Sequence, residues 1–304
     1  MSGTGASGSM RSGAPLEDIT FVILTFNEDR RLPACLDSLG GLDAKIFAVD
    51  SFSTDGTVGL FVRGGIKYVQ HPFINYGDQR RWAQKENPFK TRWVFHLDAD
   101  ERISNELRNW LQQDFPRLSG LHDGFFFSRR TVFMGRWIRW GGHYPAYHLR
   151  LFRADRGHCE DKAYDQHFVV SGKVHTVKHA DIIDTVTSDI ASFVRSHERW
   201  ASLEAEEAIS GLRTGEVQSS LGGSPIEKKR WLKSNIYQRA PLFLRSFIYF
   251  VYRYVFRFGF LDGKEGLIFH VLQGFWFRFL VDAKILELRR KISNNHSHSG
   301  KESN

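Results

Sequence analysis

The sequence predicts an α/β protein with a mostly parallel sheet, helices on both of its faces, and a helical C-terminal region. Three observations lead to this class. Apolar, strand-like runs alternate with helical patterns in the N-terminal third of the chain. Polar residues directly follow these runs, at the edge where ligands bind in open parallel sheets. Beyond residue 190, helical patterns dominate, and basic and aromatic residues become frequent.

Each element follows from a local pattern. Leu32, Leu36 and Leu39 fall on one face of a helix that follows the first strand. A turn rich in capping residues at 51–57 leads into the next helix. Apolar runs predict strands at 19–25, 45–50, 66–69 and 93–97. The later elements are short strands at 124–128 and 148–153, a helix at 190–212, a linker at 219–225, and helical structure to about 290 with a break at 259–263.

The composition suggests four regions along the chain. A Gly/Ser-rich start and a polar end predict disordered tails at 1–17 and 291–304, and no signal peptide is visible. Between them we place a catalytic domain at 18–190 and a helical, amphipathic and basic region at 191–290. Two cysteines, Cys35 and Cys159, form no disulfide framework and indicate a reducing compartment.

The positive charge is concentrated near the C-terminus. The whole chain has a net charge of +8, and residues 225–290 alone, with 13 Lys/Arg and 5 Asp/Glu, account for that excess. A basic and aromatic segment predicts contact with an anionic membrane surface through 239–290, or else with nucleic acid. Arg245, Arg253 and Arg257 fall on one side of a predicted helix, where they could reach lipid phosphates. The alternative is a protein interface with arginines at its rim, and three arginines argue against a transmembrane helix.

Asp98 and Asp100 are the central candidates for chemistry. Two carboxylates spaced i, i+2 after a buried strand can both reach one hard cation, Mg²⁺ or Mn²⁺. Such a cation would neutralise the charge that develops on a departing nucleoside diphosphate. A solvated acidic turn is the alternative reading of an isolated Asp-x-Asp.

Further polar residues at the same edge are candidates for binding a nucleotide sugar. Asp50 could accept the ring N–H of a pyrimidine base, and Thr25 and Asn27 could contact the base or ribose, with Glu28 beside them. Arg81 opens a helix, where it could contact phosphate. Arg150 and His197 are candidates for diphosphate or acceptor contacts, although such residues are more often structural.

The segment 159–167 contains three carboxylates and is the expected source of a general base. An acceptor hydroxyl becomes a competent nucleophile when a base lies within hydrogen-bond reach. Asp161 is the first choice, with Asp165 and Glu160 as alternates. A polar loop with internal salt bridges would explain the same spacing.

Three stretches, taken in order, resemble glycosyltransferase family 2, which has the GT-A fold. They are 25–28 (Thr-Phe-Asn-Glu), 50–57 (Asp-Ser-Phe-Ser-Thr-Asp-Gly-Thr) and 97–101 (Leu-Asp-Ala-Asp-Glu), and the likeness covers about 19–184. The resemblance implies that the first stretch and Asp50 bind the nucleotide, that Asp98 and Asp100 bind ribose and metal with Asp100 as the direct ligand, and that a later Glu-Asp, here 160–161, supplies the base.

The form of the third stretch, with 259–263 and 274–279, is similar to bacterial lipopolysaccharide-core and exopolysaccharide enzymes. This implies a peripheral protein on the cytoplasmic face of the bacterial inner membrane. The chain departs from the family pattern at Arg81, where many members have Asn. The Gln-x-x-Arg-Trp motif of processive synthases is also missing, and 197–200 (His-Glu-Arg-Trp) is only a faint echo of it. We therefore expect one sugar per acceptor.

The sequence thus predicts an inverting, metal-dependent glycosyltransferase that moves a sugar from a nucleotide diphosphate, expected to be UDP, to a lipid-linked or lipopolysaccharide-type glycan. We expect no nucleic acid partner beyond the donor nucleotide. A sugar nucleotidyltransferase is one alternative, but 26–33 has no Gly for the phosphate loop that it would need. A non-enzymatic basic protein that binds membrane or RNA is the other, and it leaves the acids at the sheet edge without a purpose.

Overall fold

A computed structural model describes residues 15–161, 166–186, 189–210, 220, 222 and 225–299. The strands are β1 (Ile19–Thr25), β2 (Lys45–Asp50), β3 (Lys67–Gln70), β4 (Trp93–Asp98), β5 (Glu101–Ile103), β6 (Gly124–Phe133), β7 (Arg136–Trp137), β8 (Tyr147–Arg153), β9 (Gly157–Cys159), β10 (Phe168–Val170) and β11 (Val174–Thr185). The helices are α1 (Leu32–Leu39), α2 (Thr57–Gly64), α3 (Tyr76–Glu86), α4 (Asn105–Gln113), α5 (Phe115–Leu118), α6 (Ile190–Ser210), α7 (Pro225–Leu232), α8 (Leu244–Val251), α9 (Gly263–Phe269) and α10 (Phe277–Ser299). Most of the predicted linker at 219–225 and of the N-terminal tail lies outside the described residues.

The main sheet has the strand order β3-β2-β1-β4-β8-β6-β11-β5, and β7 pairs with β6. Strands β3, β2, β1 and β4 are all parallel. Strand β8 runs antiparallel to β4 and β6, and β11 runs parallel to β6. The predicted class is confirmed, with a parallel N-terminal half and a mixed half beyond β4. Because β8 is antiparallel to both of its neighbours, β6 and β11 run in the same direction as β1, β2 and β4. All five strands therefore end at the same edge of the sheet.

Apolar side chains cover both faces of the central strands. Phe21 of β1 and Phe95 of β4 are register partners with ring centroids 4.9 Å apart, and Phe127 of β6 lies 5.5 Å from Phe95. Val22 and Val94 on the same two strands are buried in a separate cluster. Strands buried on both faces need apolar residues at successive positions, which is why these two appear as continuous apolar runs in the sequence.

The C-terminal helices pack against the catalytic domain. Asp262 accepts backbone N–H groups from Arg139 (3.1 Å) and Trp140 (2.9 Å), in the loop after β7. In the same loop, the Gly141 carbonyl accepts from Nε of Arg253 at 2.5 Å. A cluster of buried side chains joins α6 and α9 to this hairpin: Phe133, Ile138, Phe193 and Phe269. The last strand of the sheet ends at Thr185, and the domain boundary near 190 stays a prediction.

The expectation that Arg245 faces lipid phosphates is wrong. Its guanidinium is buried and ion-paired with the fully buried carboxylate of Asp282 on α10. Arg257 remains exposed. Helical spacing places residues on one side of a helix, but it does not show which of them a later helix will cover.

No helix within the described ranges has both the length and the apolar character that crossing a bilayer requires. The last helix continues to Ser299, where the sequence suggested a disordered tail from 291. An i, i+4 ion pair between Glu287 and Lys291 (2.7 Å) joins the start of this extension to the preceding turn, and such pairs favour the helix. Both cysteines are free and buried, as a reducing compartment allows.

Candidate active site

Asp50 ends β2 with its side chain fully buried. Its carboxylate accepts hydrogen bonds from Oγ1 of Thr25 (2.9 Å), from the backbone N–H (2.9 Å) and hydroxyl (2.5 Å) of Ser53, and from Nε2 of Gln70 (3.1 Å). The predicted contact of Asp50 with a pyrimidine ring stays a prediction, and in this structure all of these bonds are made within the protein. Asp50 holds together the loops that follow β1 and β2.

Asn27, in the loop after β1, is bonded to the loop after β2. It has a left-handed backbone (φ 55°), its N–H donates to Oγ of Ser53 at 2.8 Å, and its Oδ1 accepts from the Thr54 N–H at 2.8 Å. Beside it, the rings of Phe26 and Phe52 are 58% and 52% exposed. Two exposed rings in the loops after β1 and β2 offer a flat apolar surface for a planar ligand. Neither ring was predicted from the sequence, because nothing in the sequence alone shows that the two rings remain exposed.

Asp98 lies between two arginines. Arg80 of α3 donates to its Oδ1 at 2.8 Å, and Arg150 of β8 donates to its Oδ2 at 3.2 Å. Burial opposes ionisation of Asp98, but the two guanidinium groups outweigh it and hold the pKa of this carboxyl well below its ordinary value. Arg150 also donates to Glu101 at 2.6 Å, where burial raises the pKa of Glu101 to about 7. Arg150 is therefore at the site as predicted, but its guanidinium binds acids and is not directed at a phosphate.

Asp100 has a weaker partner than Asp98. The nearest guanidinium is that of Arg31, at 3.3 Å, and Arg31 also forms two bonds to Glu28, at 2.6 and 2.7 Å. Burial, followed by the nearby carboxylates of Asp184 and Asp98, raises the pKa of Asp100 well above its ordinary value. Asp100 is therefore an acid whose charge the protein does not fully compensate.

Asp184 was missed by the sequence analysis. It lies near the end of β11, buried, with Nε of Arg129 at 3.4 Å from its carboxylate. The N–H of the next residue, Thr185, donates to the Asp100 carbonyl at 3.3 Å, and the Asp184 charge contributes to the raised pKa of Asp100, so the two acids lie close together. The sheet brings them together, because β11 ends at the same edge as β4 although 84 positions separate the residues in the sequence.

Asp161 and Arg81, both predicted site residues, contact each other. Nη2 of Arg81 donates to Oδ1 of Asp161 at 3.0 Å, and the Asp161 side chain is 81% exposed. Arg80 and Arg81 are consecutive on α3, so one turn of this helix contacts both Asp98 and Asp161. The predicted base and Asp98 are therefore linked through two neighbouring arginines of one helical turn.

Of the two alternate candidates for the base, the structure describes Glu160 but not Asp165. The Glu160 side chain is fully buried, and both of its oxygens accept from Arg230, at 2.9 and 2.6 Å. A carboxylate with no solvent access cannot receive a proton from an acceptor hydroxyl in this arrangement, so the prediction of Glu160 as an alternate base is wrong. Asp165 lies outside the described residues.

His197 is not part of this edge. It is buried on α6, where its ring stacks on Phe193 with centroids 3.7 Å apart. Nδ1 lies 2.8 Å from the Phe193 carbonyl, and Nε2 lies 2.5 Å from Oε1 of Gln273. The expectation of a diphosphate or acceptor contact is therefore wrong, because His197 packs inside the C-terminal helices.

The carboxylates at this edge suit a cation that is held partly by the protein and partly by a bound ligand. Within the described ranges, no three His, Cys, Asp or Glu side chains form a ready metal site. Mg²⁺ and Mn²⁺ are commonly held by one or two carboxylates together with substrate phosphates. Asp100, weakly paired and in a cluster of acids, fits that role, whereas Asp98 is occupied by Arg80 and Arg150.

Residues 20–168 match the family described as Glycosyl transferase family 2. An uncharacterized glycosyltransferase of Rickettsia conorii is 34% identical over 33% of this chain, and this match spans only 34% of the Rickettsia protein. The lipopolysaccharide core biosynthesis glycosyltransferase LpsC of Rhizobium meliloti is 26% identical over 66% of this chain and 75% of its own length. The crystal structure of S. aureus TarS 1–349 with UDP-GlcNAc has a TM-score of 0.43 and 13% identity, covering 90% of this chain and 91% of that chain. Residues 20–168 are therefore a glycosyl transferase family 2 domain, which confirms the family and the enzyme class predicted from the sequence.

Proposed function

We propose that the protein transfers one sugar from a nucleoside diphosphate, UDP, to a membrane-associated glycan, with inversion at the anomeric carbon. The observation that carries this proposal is the turn of α3 that contacts both carboxylates. Arg80 binds Asp98 and Arg81 binds Asp161, so one turn of α3 links an exposed carboxylate, which an acceptor can reach, to the partly buried Asp98. LpsC, a relative named for lipopolysaccharide core biosynthesis, supports a lipopolysaccharide-type acceptor.

In the proposed reaction, Asp161 takes the proton from the acceptor hydroxyl. The oxygen forms a bond to the anomeric carbon on the face opposite the diphosphate, and the bond to the diphosphate oxygen breaks, with the electron pair leaving on the nucleotide. Attack from the opposite face inverts the configuration. Asp100 would hold a divalent cation, which would supply positive charge to the leaving group. Asp161 suits its role because its side chain is 81% exposed, so an acceptor hydroxyl can reach it.

Two substitutions test the site. Asp161→Asn and Asp100→Asn are each expected to reduce transfer by about 100-fold or more while the fold is retained. Transfer is measured as UDP release from UDP-glucose, UDP-galactose and UDP-N-acetylglucosamine, with glycolipid extracted from bacterial membranes as acceptor. Asp155→Asn is the matched control, because Asp155 is exposed in the same part of the chain and pairs only locally with Arg153. Full transfer by Asp161→Asn would remove the proposed base.

We also propose that the C-terminal helices bind an anionic membrane surface. Phe247, Ile248 and Phe256 are 54%, 54% and 68% exposed, and further exposed apolar side chains follow them: Phe258, Phe260 and Leu261. Between 228 and 264 the sequence has a single acid, Asp262, and it is buried. The exposed charges on this stretch are therefore positive, which suits lipid headgroups that carry negative charge.

Vesicle co-sedimentation tests this surface. The protein is expected to bind vesicles of phosphatidylglycerol and phosphatidylcholine, to bind pure phosphatidylcholine poorly, and to dissociate as salt increases. Phe256→Glu should weaken binding because it places a negative charge in the centre of the apolar face. Val62→Glu is the control, since Val62 is 64% exposed on α2 of the catalytic domain. Equal loss of vesicle binding in both variants would show that the C-terminal helices are not the surface that contacts the membrane.

A further inference from the structure

The loop that carries Asp161 is closed by bonds at its base. It connects β9 to β10, and the Glu160 N–H donates to the His167 carbonyl at 2.9 Å. The His167 N–H donates in return to Oε2 of Glu160, also at 2.9 Å. Glu160 therefore anchors the loop through both its backbone and its buried side chain. The residue that follows it in the chain is Asp161.

The partner of the Glu160 carboxylate comes from the C-terminal region. Arg230, on α7, donates Nη1 to one oxygen at 2.9 Å and Nη2 to the other at 2.6 Å, and Nη2 also lies 3.1 Å from Nδ1 of His167. A two-point guanidinium–carboxylate contact fixes orientation as well as distance. With its carboxylate fully buried, this pair is screened little by solvent.

Asp161 is thus held from two sides. Arg81 of the catalytic domain contacts its carboxylate, and Arg230 of the C-terminal region fixes the residue before it. We propose that Arg230 is a positioning residue that sets the base relative to the acid cluster, so the C-terminal region is part of the catalytic apparatus as well as a membrane contact. This inference depends on the proposed function, in which Asp161 is the base.

The test compares Arg230→Gln with Arg245→Gln in the full chain. Both variants lose a buried arginine–carboxylate pair, but the pair of Arg245 with Asp282 lies within the C-terminal helices. With the UDP-sugars and extracted glycolipid named above, Arg230→Gln is expected to lower kcat by about 10-fold to 100-fold, as for other small misplacements of catalytic groups, with donor KM little changed. Arg245→Gln should lose stability but keep kcat for the folded fraction.

Amide hydrogen exchange gives a readout apart from activity. The amides of Glu160 and His167 should exchange faster in Arg230→Gln than in the wild type, and at the wild-type rate in Arg245→Gln. If Arg230→Gln does not fold, Arg230→Lys serves instead, because it keeps the buried charge but lacks the two-point contact. It should lower kcat in the same direction.

The outcomes separate this inference from the proposed function. Full transfer by Asp161→Asn would mean that the base is wrong, and Arg230 would then have no base to position. If Asp161→Asn is inactive while folded Arg230→Gln, or Arg230→Lys in its place, turns over at the wild-type rate, the base stands and the role of Arg230 is refuted. Wild-type exchange at Glu160 and His167 in the Arg230 variant would refute it as well.

Discussion

Acid should weaken the contact between the catalytic domain and the C-terminal helices through His270. This imidazole is 1% exposed, and a Cβ added at Gly141 would lie 2.1 Å from its ring. Its Nε2 has no hydrogen-bond partner in the described part of the chain, and the nearest carboxylate oxygen, on Asp262, is 4.0 Å away. Burial, followed by the charge of Arg253, lowers the pKa of His270 from 6.5 to about 4.

The sign and size of the effect follow from these two pKa values. Above pH 6.5 the imidazole is neutral in both the folded and the unfolded chain, so it adds no pH dependence. Between pH 6.5 and about 4, the unfolded chain binds the proton and the folded chain does not, so stability falls as pH falls. From pH 7 to pH 5 this amounts to about 2 kcal/mol, at 1.36 kcal/mol for each pKa unit.

Urea unfolding at pH 7 and pH 5 measures this difference. His270→Phe keeps an aromatic ring but cannot titrate, so the wild type should lose about 2 kcal/mol more than this variant between the two pH values. Because each protein is compared with itself at the two pH values, any pH-independent effect of the substitution on the free energy of unfolding cancels. His158→Phe, at an exposed position on β9, should retain the wild-type pH dependence. Equal pH dependence of wild type and His270→Phe would refute the reasoning.

Three further predictions concern packing and the acid cluster. Asp282→Ala leaves Arg245 buried without its carboxylate and should cost about 3–5 kcal/mol in urea unfolding. Gly141→Ala, with φ +67° and the His270 ring in the way, should cost about 2–4 kcal/mol, and clearly more than Gly135→Ala, where φ is +78° but no atom lies within 4 Å. EDTA should abolish transfer and Mn²⁺ should restore it, with about 10-fold more Mn²⁺ needed by Asp184→Asn, because one of the acids facing Asp100 has lost its charge.

The parallel half of the sheet could be predicted because its signals are local. Strands β1 and β4 are buried on both faces and therefore appear as apolar runs, and the polar residues that follow them mark the edge. The mixed half was harder to predict. Strands β6 and β8 are antiparallel neighbours with no helix between them, and single-strand patterns do not give the direction of pairing.

The sequence predicted which acids belong to the site, but it did not predict which arginines pair with them. Spacing identified Asp98 and Asp161, yet it does not show that Arg80, 18 positions from Asp98, and Arg81, 80 positions from Asp161, pair with them. Glu160 shows the limit most clearly. Its place next to Asp161 made it an alternate base, and only the approach of Arg230, 70 positions later, shows that it is an anchor.

The charges at the edge explain why a cation is expected there even though arginines are abundant. Among the residues that the structure describes at this edge, Asp98, Glu101 and Glu28 each contact a guanidinium within 3 Å, whereas the contacts of Asp100 and Asp184 are longer, at 3.3 and 3.4 Å. The arginines are therefore already bound to acids, and a diphosphate that drew one away would leave a buried carboxylate unpaired, which is costly. A divalent cation that entered with the donor would avoid this exchange, because it would add positive charge beside Asp100 and Asp184, whose guanidinium contacts are the longer ones.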